Sequence, residues 1–266
     1  MQANQAEVSP SPSPPNGLTV APASVADIRA ALAAGLRDLF ARPVLSLFFG
    51  LVYALFGAGM LAALLVFEQL WIAIAVGVGF PLVAPFLAAG LYEMSRRLSR
   101  GEPFSATDIF LVIFRQQRRE FGWMSFVVLF VFWIWAYQVR IVLAITLSYH
   151  SFSSLDNLVA AVFTTLDGAV FLAIGSLIGA FLSTVLFSIT VIAMPLLLDR
   201  EVDFVTAMIT SVKTVLASPV VMLGWGAAIG ALTLAAVAPV FLGVIVVFPV
   251  LGHATWHLYE RLISRA

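Results

Sequence analysis

From Pro219 to Gly252 the chain runs for 34 residues without one ionisable side chain. As a single helix this run would be ~51 Å long, against a hydrocarbon thickness of ~30 Å. Pro239 lies inside it, removing a backbone donor and clashing with the preceding turn. The run therefore divides near Ala236 to Pro239 into two spans. Other uncharged stretches precede it, and Glu68 and Gln69 are the only polar residues between the first two, which makes those a tight helical hairpin. The sequence predicts an all-α, polytopic transmembrane helical bundle with six spans, at about 44–67, 70–92, 122–146, 169–195, 219–236 and 239–256.

Composition leaves no soluble alternative. The chain is 62% hydrophobic and 11% charged, with a mean hydropathy of +1.05. Water-soluble chains are near half apolar and a quarter charged, so a globular core could not hide this surplus. Formal net charge is zero, giving no global attraction to nucleic acid. There are no cysteines, which excludes disulfides, thiolate metal sites and cysteine nucleophiles. Residues 1–22 are rich in Pro, Ser, Asn and Gln and lack the basic start and apolar core of a secretory signal. They read as a disordered cytoplasmic tail before a single transmembrane domain, 23–266.

Charge fixes an orientation. Cytoplasmic loops carry excess Lys and Arg. With the N-terminus inside and six spans, every basic residue except Arg140 falls on the inner side, while Glu68, Asp156 and Asp167 fall outside. Five spans would place Arg261 and Arg265 outside. The expected location is the bacterial inner membrane, with both termini cytoplasmic.

The segments before the odd spans resemble one another. Asp27-Ile28 precedes Arg37 by ten residues counted from the Asp, Asp108-Ile109 precedes Arg118, and Asp203-Phe204 precedes Lys213. Ala41-Arg42-Pro43-Val44 then matches Ala217-Ser218-Pro219-Val220, and Phe80-Pro81 with Leu91-Tyr92-Glu93 matches Phe248-Pro249 with Leu258-Tyr259-Glu260. The expected unit is an amphipathic cytoplasmic helix (roughly 25–41, 106–120 and 202–216) followed by a transmembrane hairpin. It is used three times in parallel, each amphipathic helix lying at the inner interface.

Candidate chemistry is sparse. His253 and His257 are four apart and share a helix face. With Glu260 they could bind a metal, but an interfacial aromatic belt with Trp256 and Tyr259 accounts for them better. His150 lies on the opposite side of the membrane. Arg140 interrupts span three, and an ionisable residue at depth is a functional candidate by default. Counted from Gly122 it sits ~27 Å along the helix, near the outer interface, where it can snorkel. Arg96, Arg97, Arg100, Arg115, Arg118 and Arg119 could hold acidic lipid headgroups, although the positive-inside rule already explains them. Gly175–Gly179 and Gly226–Gly230 are close-approach motifs for helix packing. Gly77, Gly79, Pro81 and Pro85, then Pro195 and Pro249, would kink their spans. Nucleotide-binding, metalloprotease and serine-hydrolase motifs are missing from the sequence, and span centres hold no acidic residue.

Four stretches in order, Gly79–Arg97, Pro195–Arg200, Thr206–Ser211 and Gly252–Tyr259, resemble a family of bacterial predicted integral membrane proteins, domain of unknown function 2189, over about residues 25–265. The resemblance implies a bacterial membrane protein without an assigned activity or catalytic residue. Some members carry the label of cytochrome c oxidase subunits. Such a catalytic subunit needs histidines for two haems and copper, and three histidines in the whole chain do not fit that label.

The leading expectation is a non-enzymatic accessory, assembly or scaffold protein, with no cofactor, whose partners are membrane lipids and another membrane protein. The alternative is a small-molecule or lipid carrier with a cavity between kinked spans. A haem- or metal-binding protein using His253 and His257 ranks third.

Overall fold

The computed structural model describes residues 18–67, 70–116, 120–147 and 155–265. It is helical throughout except for a two-stranded ribbon. Helix α1 (Val25–Ala41) is followed by α2 (Pro43–Leu65) and α3 (Leu70–Arg100), then by α4 (Ala106–Gln116) and α5 (Glu120–Thr146). A short α6 (Leu155–Thr164) leads into α7 (Leu166–Thr190) and α8 (Ala193–Asp199). The chain closes with α9 (Phe204–Ala217), α10 (Pro219–Val237) and α11 (Val244–Leu262). Five helical stretches are long and apolar enough to cross a membrane: Pro43–Leu65, Ile74–Arg100, Glu120–Thr146, Leu166–Asp199 and Pro219–Val237. The protein is thus an all-helical integral membrane protein, with five candidate spans among the described residues. α11 is not among them, because its second half carries His253, Thr255, His257, Glu260 and Arg261.

Local chemistry sets the helix ends. Ser24 caps α1 and forms a reciprocal capping box with Asp27. Ser105 and Asp108 exchange the same bonds ahead of α4, and Asp203 caps α9 through the Thr206 amide. Each satisfies first-turn amides that lack intrahelical partners. Arg42 (φ −139, ψ 61) and Ser218 (φ −148, ψ 64) turn the chain alike, each placing a proline in the first turn that follows, where a missing amide costs nothing.

The long apolar run does break, between Ala238 and Gly243. Val240 and Phe241 adopt left-handed φ of 53° and 65°, and a Cβ on Gly243 would meet the Ala236 backbone at 2.7 Å. Residues seven apart in sequence touch, so the chain reverses there. Pro239 is accommodated inside this turn, a few residues beyond where proline alone places the break.

α11 returns into the middle of the bundle, gripped by α1, α2 and α3. Glycines make the grip possible: a Cβ on Gly35 would lie 2.7 Å from the Ala254 amide nitrogen, and one on Gly50 would overlap the Ile245 carbonyl. His253, Trp256 and Tyr259 are therefore buried against protein rather than lipid. The kink before Pro195 is held by Ser211 of α9, whose hydroxyl accepts the Ile192 amide at 3.1 Å.

Strand β1 (Leu18–Val20) pairs antiparallel with β2 (Ile263–Arg265), Val20 opposite Ile263. Residues 18–22 are thus not part of a disordered tail. Leu18 and Val20 pack against the buried core that includes Ile263, and the Ala21 amide donates to the Leu262 carbonyl. The rest of the tail lies outside the described residues.

Candidate functional site

Among the described residues two regions stand out, a polar network at the end bearing α1 and the paired strands β1 and β2, and a mostly apolar cleft beside it. The network starts on α1. Ala31, Ala34, Gly35, Asp38 and Leu39 are its buried residues, a stripe at helical spacing that presses Asp38 against α11. Asp38 Oδ2 lies 2.7 Å from His257 Nε2, and His257 Nδ1 lies 3.4 Å from Glu260. Glu260 in turn accepts a hydrogen bond from Ser99 of α3. Burial opposes charge on Asp38, but bonds from His257 and Ser95 outweigh it and hold the carboxyl below its ordinary range. Burial likewise opposes the His257 imidazolium. The Asp38 and Glu260 carboxylates reverse this and raise the group to about 9.

His253, one turn deeper, is completely buried. Its Nε2 lies 3.0 Å from the Ser46 hydroxyl of α2 and its Nδ1 2.7 Å from the Ser95 hydroxyl of α3. One imidazole thus stitches α11 to α2 and α3 through two serine hydroxyls.

The two histidines share a helix and a direction but not a ligand. Both nitrogens of each ring already face protein oxygens, and among the described residues no group of three His, Asp or Glu side chains could hold a metal. His150 lies outside the described residues. The missed partners are Asp38, Ser46 and Ser95. Asp38 had a signal, its place in an otherwise small and apolar stripe of α1. The two serines had none, being ordinary in transmembrane helices.

The arginine cluster is largely engaged with its own carboxylates. Arg96 makes a bidentate pair with the buried Glu93, both nitrogens at 2.7 Å, and Arg97 reaches the same carboxylate at 2.6 Å. Arg100 bonds Asp199 at 2.7 Å, and Asp199 also accepts from Tyr259. Arg115 is exposed, while Arg118 and Arg119 lie outside the described residues. Arg140 is exposed on α5 six residues before its end at Thr146. Of the acidic residues read as lying on its side of the membrane, Glu68 and the side chain of Asp156 lie outside the described residues, and no ion pair to Asp167 forms. Gly175 and Gly179 face Gln138 and Trp135 of α5, and Gly226 faces Phe187, whereas a Cβ on Gly230 would meet nothing within 4 Å.

Beside the network the helices leave open clefts. One, of about 370 Å³, is lined from α2, α3, α5, α7, α10 and α11, including Tyr53, Thr190, Ile229 and Phe248. A second, of about 380 Å³ between α3, α5 and α7, shares Phe80, Ala84, Val128 and Leu186 with it. Both abut the helix breakers: Pro81 and Pro85 line them, and Phe248 precedes Pro249. Tyr53 sits where the two Phe-Pro pairs meet, its ring 6.0 Å from Phe80 and 5.2 Å from Phe248. Its hydroxyl donates to the Ala84 carbonyl at 2.7 Å, beside Pro85, so the polar end of the tyrosine is satisfied; the rest of the wall is mostly apolar, with Tyr92, Thr190, Thr233 and Thr255 among its residues.

Long apolar helices and kinks backed by neighbouring side chains define a helical integral membrane protein. Residues 72–199, from α3 to α8, match the family described as predicted integral membrane protein, DUF2189. The family resemblance read from the residues holds over that stretch, which contains the Gly79–Arg97 and Pro195–Arg200 motifs; Thr206–Ser211 and Gly252–Tyr259 lie beyond it. No curated protein and no solved structure matches the chain.

Proposed function

We propose that this is a non-enzymatic, six-span protein of the bacterial inner membrane that carries a small apolar molecule or lipid chain between its kinked spans. The joined cavities at the Phe-Pro breaks carry this reading. Interiors of folded proteins are close-packed, and apolar voids of this size are what apolar ligands enter. An accessory or scaffold role rests instead on the outward apolar faces of α5 and α7, which lipid covers equally well.

Several observations support the finer architecture. Antiparallel pairing of β1 with β2 brings both ends of the described chain to one side, which requires an even number of crossings. α11 then makes the sixth, its apolar half Val244–Leu251 in the bilayer and its polar half among α1, α2 and α3. The matching turns at Arg42 and Ser218, and the caps of α1, α4 and α9, support three parallel units. Each of those helices keeps exposed apolar side chains, Leu36 and Phe40, Leu111 and Phe114, Ile209 and Leu216, suited to the inner interface. The basic residues on that side support a cytoplasmic location for it.

The test is native mass spectrometry of protein extracted with its surrounding lipid, for the unaltered chain and for Ala84→Phe, which fills the shared wall of the cavities. The expected result is an apolar molecule retained by the first and lost from the second. A cavity without cargo, together with a stoichiometric protein partner, would return the assignment to the accessory role.

A further inference from the structure

At the inner end of α2 lies a groove of about 550 Å³, separate from the central cavities. Its residues come from the α1–α2 junction and from α4, among them Arg42, Val44, Phe48, Phe104, Ser105 and Phe110. The Arg42 guanidinium carbon lies over the Phe104 ring, 5.0 Å from its centroid, a cation–π contact. Among the described residues, ion pairs engage Arg96, Arg97, Arg100, Arg200 and Arg261, and none engages Arg42.

Below the charge the groove is apolar and follows the span. Val44 is 85% exposed and Phe48 42% exposed, both on the first turns of Pro43–Leu65. No side chain caps α2, so the amides of Val44 and Leu45 add donors at the level of the guanidinium. The matching junction at Pro219 differs. There Ser218 replaces the arginine, and its hydroxyl accepts the Ala23 amide at 2.9 Å, so the protein's own chain covers that position.

We propose that this groove binds one anionic phospholipid of the inner leaflet, its phosphate on Arg42 and an acyl chain along Val44, Phe48 and Phe110. The occupant follows from the arrangement: a cation without an ion pair, beside uncapped helix amides, meets an anion, and an apolar wall running down a span meets a hydrocarbon chain attached to it. A soluble anion would use the first part only. A zwitterionic lipid would bring its own cation to an arginine that lacks a carboxylate neighbour.

The experiment uses the full chain in nanodiscs of mixed phosphatidylcholine and phosphatidylglycerol, with retained lipid counted by native mass spectrometry. The unaltered protein is expected to retain phosphatidylglycerol selectively. Arg42→Gln should lower that retention about fivefold, the effect of one basic residue at an anionic surface, while Arg29→Gln on exposed α1 surface should not. Val44→Trp, at an exposed position where it cannot disturb the core, should block the chain and also lower retention. Retention unchanged in Arg42→Gln or in Val44→Trp would overturn the proposal, as would an equal fall in Arg29→Gln, which would mean diffuse charge attraction. Full competition by millimolar glycerol phosphate would show a phosphate site without a lipid requirement and overturn it too. Ala84→Phe, in the central cavity, should leave this retention unchanged, which separates the two sites.

Discussion

Asp38 of α1 and His257 of α11 lie 2.7 Å apart, both side chains less than 15% exposed. They join the first described helix of the chain to the last. Removing one member of a mostly buried pair strands the other charge, at a cost of about 3 kcal/mol. Asp38→Asn is therefore expected to lower the unfolding midpoint in detergent by several degrees, and His257→Gln by a similar amount. The double variant should be less damaged than the sum. Full additivity in that cycle would show that the two side chains do not interact.

The same pair gives stability a pH signature. His257 rises from 6.5 to about 9, so its contribution is complete below about 6.5 and disappears as pH climbs through 9. Asp38 is lowered from 3.8, so its contribution is complete above 3.8 and is lost on further acidification. Thermal midpoints should accordingly be highest between about pH 4 and 6.5 and decline toward pH 9. In His257→Gln the alkaline decline should flatten, and a decline of unchanged slope would exclude His257 as its cause.

α1 and α11 approach closely because Gly35 has no side chain. A Cβ there would stand 2.7 Å from the Ala254 nitrogen and 2.8 Å from the Val250 oxygen, both backbone atoms that cannot swing away. Gly35→Val should force the helices apart and cost about 1–3 kcal/mol. Gly59→Ala, with nothing within 4 Å, should be neutral. Equal effects in a detergent melting assay would mean that α1 does not dock on α11 as described.

Much of this arrangement was legible in the sequence, and the failures share one physical origin. Uncharged runs, Pro239 and the Ser or Asp caps act locally, so the helices, the reversal before α11 and the three amphipathic segments could be read from neighbours in the chain. The docking of α11 could not. The sequence reads 239–256 as a span, but nothing near His253, His257 and Glu260 in the chain shows their partners Ser46, Ser95, Asp38 and Ser99, which come from helices up to 219 residues away. Charge counting likewise could not separate Arg96, Arg97 and Arg100, each held by a carboxylate, from Arg42, which has none. The cavity was foreshadowed only by its cause, the prolines and glycines of the kinked spans.

Both imidazoles already use both ring nitrogens, which bears on metal chemistry. Adding zinc or haem to purified protein should leave its melting midpoint unchanged, whereas a genuine ligand stabilises by mass action, by about 2.7 kcal/mol at a hundred times its dissociation constant. A stabilisation by zinc that vanishes in His253→Leu would show that the rings can turn from Ser46 and Ser95 to a shared ion.

The last prediction concerns the number of crossings. The pairing of Leu18 with Arg265 and Val20 with Ile263 is possible only if the strands lie on one side of the bilayer, and five crossings would separate them. With no natural cysteine to interfere, single replacements report sidedness cleanly. Thr164→Cys, at the tip between α6 and α7, should react with an impermeant maleimide in intact spheroplasts. Thr107→Cys on α4 and Ser264→Cys on β2 should react only after the membrane is opened. A second arm uses the 2.6 Å contact between the Thr19 and Ser264 hydroxyls: cysteines at both positions should crosslink on mild oxidation. Labelling of Ser264→Cys from outside, with no crosslink to position 19, would mean that α11 crosses no bilayer and that the strands do not pair. Inside labelling with efficient crosslinking would make α11 a span despite its histidines, its polar half sheltered by α1, α2 and α3 rather than by the lipid.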